Sequence, residues 1–171
     1  MAYLKLRICL VGLSMAFTAN MIVYRITKHK FAADIKGTGA ALFPGRWNKS
    51  GMPVLYTGIT KEIALLETIV HATPMIVSDL DILTIEIPDD SITDLEIPDL
   101  PANWAEYPAP TKLSDLGEKW VLAGLTIALK IPSCIINTSY NVILNCNHLN
   151  FSSVNVLDHS KFHFDIRLIS R

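Results

Sequence analysis

Charge is scarce in this chain. Only 18% of its 171 residues are charged, and 15 Lys and Arg against 16 Asp and Glu leave a net charge of -1. Charge runs are absent, so nothing supplies the basic field that a nucleic-acid partner requires. The three cysteines, Cys9, Cys134 and Cys146, are odd in number and lack metal-ligand spacing. They fit buried thiols in a reducing compartment better than a disulfide framework. There is no GxGxxG, Walker loop, HExxH or GxSxG, and Gly37-Thr38-Gly39 is too short for a dinucleotide fingerprint. No internal repeat or low-complexity tract stands out. The five histidines, His29, His71, His148, His159 and His163, are scattered. Each reads as a surface or satisfied side chain rather than a ligand, so no metal site is expected.

What the chain does have is apolar mass. Half of its residues are hydrophobic, enough for a substantial core in one domain. The mean hydropathy of +0.34 fits a large core, and is equally compatible with a homodimer or a partner-binding surface.

The first 20 residues stand apart. Lys5 and Arg7 precede an apolar run from Ile8 to Phe17, followed by Thr18-Ala19-Asn20. That has the shape of a secretory signal and is too short to span a bilayer as a helix. It also reads as a packed N-terminal element, or as sequence upstream of a true start at Met21. Residues 1–20 are therefore treated as an extension, and 21–171 as the working domain.

Periodicity places the elements. Ile22 to Ile26 reads as a strand, Gly37 to Pro53 as a long glycine-rich loop, and Val54-Leu55-Tyr56 as a short strand closed by Gly58. Thr60 is suited to cap a helix that runs to about His71 and stops before Pro74. Leu83, Ile85 and Ile87 alternate with Thr84 and Glu86 in a half-buried strand. Residues 88–112 read as turns and a surface excursion around Trp104. A second helix is expected over Ser114 to Lys130, with Ile127 on its apolar face. Strands are expected at Cys134–Ile136, Asn141–Leu144 and Phe164–Ile169. Strands grouped around helices without strict alternation predict an α+β fold.

The stretch from Gly37 to His71 concentrates the chemistry. A glycine-rich loop carries Arg46, a strand carries Tyr56, and the apolar helix carries a carboxylate, Glu67, at the edge of its buried arc. Arginine matches phosphate oxygens bidentately, a tyrosine face stacks on a flat ring, and a carboxylate stabilises a developing sugar cation. Each has a plainer reading. Arg46 could cap a loop through carbonyls, Arg25 could pair with an acid such as Asp165, and Tyr56 could be core. Glu67 could be a surface acid beside His71 or Lys61. Ser133 lacks an evident base for a hydrolase triad.

In order and spacing, the chain resembles the RES-domain toxins of bacterial toxin-antitoxin pairs, a family named for an Arg, a Glu and a Ser. The residues that carry the resemblance are Val23-Tyr24-Arg25-Ile26, then Gly37 through Asn48, then Gly51 through Thr57. Next come Ala64-Leu65-Leu66-Glu67 with Val70-His71, Leu116-Gly117 with Trp120, and Ile131-Pro132-Ser133. Asn141 to Asn145 with His148, and Phe164 to Leu168, complete it. It spans about Ile22 to Leu168 and leaves the first 20 residues outside, which favours a start at Met21.

The resemblance implies an ADP-ribosyltransferase-like fold of mixed sheets with flanking helices. It implies attack on NAD⁺ as substrate, with no cofactor, in the cytoplasm. The nicotinamide–ribose bond would break by hydrolysis or phosphorolysis, depleting NAD⁺ and arresting growth. Alternatives are ADP-ribose transfer to a specific protein, or an inactive relative that only binds its antitoxin. The implied partner is an antitoxin with an Xre-like helix-turn-helix domain; neither nucleic acid nor membrane is expected. By position, Arg25 and Arg46 would grip the pyrophosphate or neighbouring ribose, and Tyr56 would stack near nicotinamide. Glu67 would bind ribose hydroxyls and stabilise the oxocarbenium-like transition state. Ser133 would hydrogen-bond rather than attack. One departure stands out: Asn145-Cys146-Asn147-His148 replaces the family's usual Asn-Pro-x-His, removing a rigid turn constraint.

Overall fold

The computed structural model describes residues 20–71 and 79–168. The N-terminal segment through residue 19, Pro74 and Ile169 lie outside them. Seven strands form one mixed sheet: β1 (Asn20–Lys28), β2 (Val54–Gly58), β3 (Leu80–Pro88), β4 (Ile92–Asp94), β5 (Ala128–Pro132), β6 (Tyr140–Asn145) and β7 (Asn155–Phe162). Their order is β4-β5-β6-β2-β1-β3-β7. All neighbours are antiparallel except β4 and β5. Among the described residues, four helices accompany it: α1 (His29–Ala32), α2 (Thr38–Leu42), α3 (Lys61–His71) and α4 (Thr111–Ala123). The fold is α+β, as expected.

Period-two alternation sorts the strand side chains between the faces. One face carries a continuous core that joins Val23, Leu83, Ile85 and Ile87 to Leu55, Val142 and Leu144. The remaining strand residues fall into two separate clusters. Val54, Leu129, Ile131 and Ile143 pack with Leu113 of α4 and with Trp47 and Trp104. Ile26, Leu80 and Ile82 pack with Ala64 of α3.

These clusters part where the sheet itself parts. β1 pairs with β3 along all nine residues, and β2 pairs with β6 along all five. Between β1 and β2 only one registered pair forms, Tyr24 with Gly58. Gly58 also faces Asn141 of β6, so Tyr24, Gly58 and Asn141 lie in line across three strands.

Several local expectations need correction. The 37–53 loop contains the short helix α2. Trp104 is not at the surface: it is 7% exposed and shares a core with Trp47. The second helix spans Thr111–Ala123 and ends at Gly124, whose φ of 57° is left-handed. Glycine adopts that conformation without the penalty a Cβ imposes. The chain then turns into β5, so Ile127 is buried ahead of a strand rather than on a helix. Cys134–Ile136 is loop beyond β5, and residues 166–168 form a 3-10 turn after the true final strand, Asn155–Phe162. Apolar runs of four or five residues do not separate helix from strand by periodicity alone.

Among the described residues no helix is long and apolar enough to cross a membrane.

Candidate active site

The parting of β1 and β2 opens a cavity of about 580 Å³. β1 lines it from Tyr24 to Lys28 and β2 from Val54 to Gly58. Ala64, Glu67, Thr68 and His71 of α3 contribute, as do Phe31, Phe43 and Asn141. The volume suits a ligand of cofactor size.

Glu67 is fixed by α3. Thr60 Oγ1 accepts a hydrogen bond from the Ile63 amide at 3.2 Å, capping the helix as its position suggests. One turn later the carboxylate is half-buried at the cavity wall. Its Oε1 accepts hydrogen bonds from Asn141 Nδ2 at 2.6 Å and Ser133 Oγ at 3.2 Å. Ser133 is fully buried, and its Oγ accepts from the amides of Ile135 at 3.1 Å and Ile136 at 3.3 Å. Those two donors occupy its lone pairs and leave its proton for Glu67. The hydroxyl therefore orients a carboxylate; among the described residues no histidine or amine is bonded to it as a base. Oε2 of Glu67 accepts no hydrogen bond among the described residues, and remains available to a ligand.

Arg25 lines the cavity. Its Nη1 donates to the carbonyls of Asp34 at 3.0 Å and Phe31 at 3.4 Å, not to Asp165, which pairs with Arg167. Burial pulls its guanidinium below the usual arginine value, and the nearby Asp34 charge opposes that shift. Nε and Nη2 have no hydrogen bond among the described residues, leaving two donor groups of the fork for an anion.

Tyr56 also lines the cavity. Its hydroxyl donates to Asn48 Oδ1 at 2.8 Å and accepts from the Trp47 amide at 3.1 Å. Asn48 Oδ1 also accepts from the Gly45 amide at 2.8 Å. The buried Asn48 is thus the hub that ties the Gly45–Asn48 loop to β2. Burial pushes the Tyr56 phenol up to about 12, with Arg46 opposing.

Arg46 is close enough to Tyr56 for that effect, yet it is not among the residues lining the cavity. Its Nη1 donates to the Trp104 carbonyl at 2.6 Å, the loop-capping geometry weighed for it from the sequence. The fold therefore brings Arg25, Tyr56 and Glu67 to one cavity, sets Ser133 behind its wall on Glu67, and sets Arg46 beside it.

A model of the RES domain matches residues 22–165. The chain belongs to the RES-domain family. It is 36% identical over 154 residues to "Toxin Res" of Yersinia enterocolitica, covering 86% of this chain and 99% of that relative. It is 29% identical over 147 residues to "Prs ADP-ribosylating toxin" of a Sphingobium species, covering 82% of this chain and 89% of the other. In fold it is similar to a chain in the crystal structure of the M. tuberculosis MbcT-MbcA toxin-antitoxin complex. That likeness has a TM-score of 0.70 at 15% identity and covers 88% of this chain and 87% of that one.

Within this RES domain, two polar residues act in ways that sequence reasoning did not assign. Asn141 opens an apolar strand and bonds Glu67; a lone amide before Val142-Ile143-Leu144 was the available signal. Asn48 closes the tyrosine network, signalled only by its place beside Trp47. The Asn145–His148 turn closes without its proline. The His148 amide bonds the Asn145 carbonyl at 3.0 Å, and Asn145 Oδ1 accepts from the Asn147 amide at 3.1 Å.

Proposed function

We propose that this RES domain is the toxin of a toxin-antitoxin pair and cleaves the nicotinamide–ribose bond of NAD⁺. The observation that carries this reading is the Glu67 carboxylate, held on one oxygen by Asn141 and Ser133 at a cavity that Arg25 also lines.

Arg25 pairs with the pyrophosphate through the donors its carbonyl contacts leave free, and Arg46 adds positive potential from beside the pocket. Tyr56 packs against the nicotinamide side. The free oxygen of Glu67 accepts from ribose hydroxyls. As the C1′–N bond lengthens, its electron pair passes to nicotinamide, which leaves neutral. Positive charge grows on the ribose C1′ and ring oxygen, where the fixed carboxylate stabilises it. Water or phosphate then attacks C1′ through oxygen and gives up its proton to solvent. Because nicotinamide is bound as a cation, the step requires no cofactor. The chain's work is positioning and electrostatics.

The partner is an antitoxin with an Xre-like helix-turn-helix domain that covers the pocket mouth, where Phe43 is 80% exposed. A cytoplasmic location would give access to the substrate pool. A second reading has support in one relative's name: transfer of ADP-ribose to a protein.

The test is incubation of purified protein with NAD⁺, with and without phosphate, followed by assay of free nicotinamide. Release is expected from the native chain and near-complete loss in Glu67→Gln, which keeps shape and removes charge. Equal turnover in that variant would sink the role of Glu67. Labelled NAD⁺ in cell extract separates the readings: a labelled protein band supports transfer, and labelled small molecules alone support degradation.

A further inference from the structure

We propose a second site, a docking point for a divalent transition-metal ion of the zinc class, made by His29, Asp81 and His159. The sequence sets these histidines 130 residues apart, and neither reads as a ligand alone. The fold joins them on one carboxylate. His29 begins α1 directly after β1, Asp81 lies on β3, and His159 lies on β7. Asp81 pairs with Lys161 in register and Leu83 with His159. Alternation therefore puts His159 on the same side of the sheet as Asp81.

His29 Nδ1 lies 2.8 Å from Asp81 Oδ2, and His159 Nε2 makes a short contact with the same oxygen. All three donor atoms fall within 4.8 Å of one another. Metal–ligand bonds of about 2.0–2.2 Å put tetrahedral ligands roughly 3.3 Å apart, so each ring nitrogen would draw back from Asp81 Oδ2 by less than about an ångström as the metal enters. The His29 and His159 side chains are 55% and 42% exposed, while that of Asp81 is 2% exposed. A buried carboxylate between two solvent-accessible imidazoles is a preformed half of a coordination shell.

Asp81 Oδ1 is buried and accepts no hydrogen bond among the described residues. Lys161 Nζ stands 3.3 Å away at ion-pair distance but is bonded at 2.6 Å to Asp79 Oδ1. Bound metal would add its positive charge to that of Lys161 beside the buried Asp81 carboxylate. Two nitrogens and one carboxylate oxygen favour zinc, nickel or cobalt over the oxygen-seeking magnesium and calcium, and three protein ligands leave a position for water. Such an ion would clip the outer strand β7 to β3 and to the start of α1.

The experiment titrates tag-free, metal-stripped full-length protein with zinc sulfate by calorimetry, and follows thermal unfolding with and without zinc. Expected results are one ion bound per chain, a raised midpoint, and affinity weakened about tenfold or more in both His29→Ala and His159→Ala. His163→Ala, an exposed histidine outside the cluster, should bind as the native chain does. Absence of binding, or native affinity retained in either cluster variant, would overturn the site. Nicotinamide release plays no part in this readout, so the outcome is independent of the proposed NAD⁺ chemistry.

Discussion

Asn141 Nδ2 donates to Glu67 Oε1 over 2.6 Å while its own Oδ1, also buried, accepts no hydrogen bond among the described residues. The carboxylate fixes the amide's orientation, because a flipped amide would set two oxygens face to face. A buried acceptor left open at a ligand cavity is a position for a ligand donor. Asn141→Ala removes both the charge-assisted bond and that acceptor. Losing one hydrogen bond to a charged group costs about 1.5–3 kcal/mol, so nicotinamide release should fall about 10- to 100-fold. Circular dichroism should show the fold retained. A rate within twofold of the native chain would remove Asn141 from the site.

The two arginines should separate by assay. Arg25 lines the cavity and Arg46 bonds the Trp104 carbonyl beside it. Arg25→Ala should raise KM for NAD⁺ the more strongly. Arg46→Ala should lower the denaturant midpoint the more strongly, by the equivalent of about 1–3 kcal/mol for an unpaired carbonyl. The reverse order would place the anion on Arg46.

Tyr56 carries a pH signature. Its phenol ionises near 10 in an unfolded chain and at about 12 in the fold. Between these values the unfolded state has released a proton that the native state keeps, so this group's contribution to stability is lost as pH rises. Two units correspond to at most about 2–3 kcal/mol. The stability difference between the native chain and Tyr56→Phe should be flat below pH 10 and decline towards pH 12. Parallel curves across that range would contradict the burial of this hydroxyl.

Gly117 should tolerate no side chain. A Cβ built there would meet the Trp47 carbonyl oxygen at 1.8 Å. Both partners are backbone, so neither rotates away. Gly117→Ala should destabilise by about 1–3 kcal/mol or more, seen as a lowered urea midpoint. Because Trp47 neighbours the Asn48–Tyr56 network, nicotinamide release should fall as well.

Much of the architecture was legible where one rule governed a segment. Leu83, Ile85 and Ile87 gave β3 by alternation, and Thr60 gave the start of α3 by capping. The cavity lining was legible on α3 and β2, where Glu67 and Tyr56 interrupt apolar runs. The errors came where local and tertiary rules compete. Trp104 sits among prolines and acids that read as surface, yet its ring fills a core with Trp47. Gly124 falls inside the helix expected over Ser114 to Lys130 and is the helix stop. Arg46 looked like Arg25; what separates them is a carbonyl 58 residues away, which no local pattern encodes. The meeting of His29 and His159 at Asp81 depends on strand register and was equally invisible.

The single pair between Tyr24 and Gly58 has a consequence for how this pocket can evolve. Beyond it, the facing edges of β1 and β2 carry main-chain groups that no strand among the described residues pairs with. Of these, the Ile26 carbonyl is met by Thr68 Oγ1 at 3.4 Å. All are main-chain groups, which side-chain substitution leaves in place unless it introduces proline. A ligand that used them would use groups that most substitutions do not remove. Variation in the lining side chains can thus reshape the pocket while its main-chain wall persists.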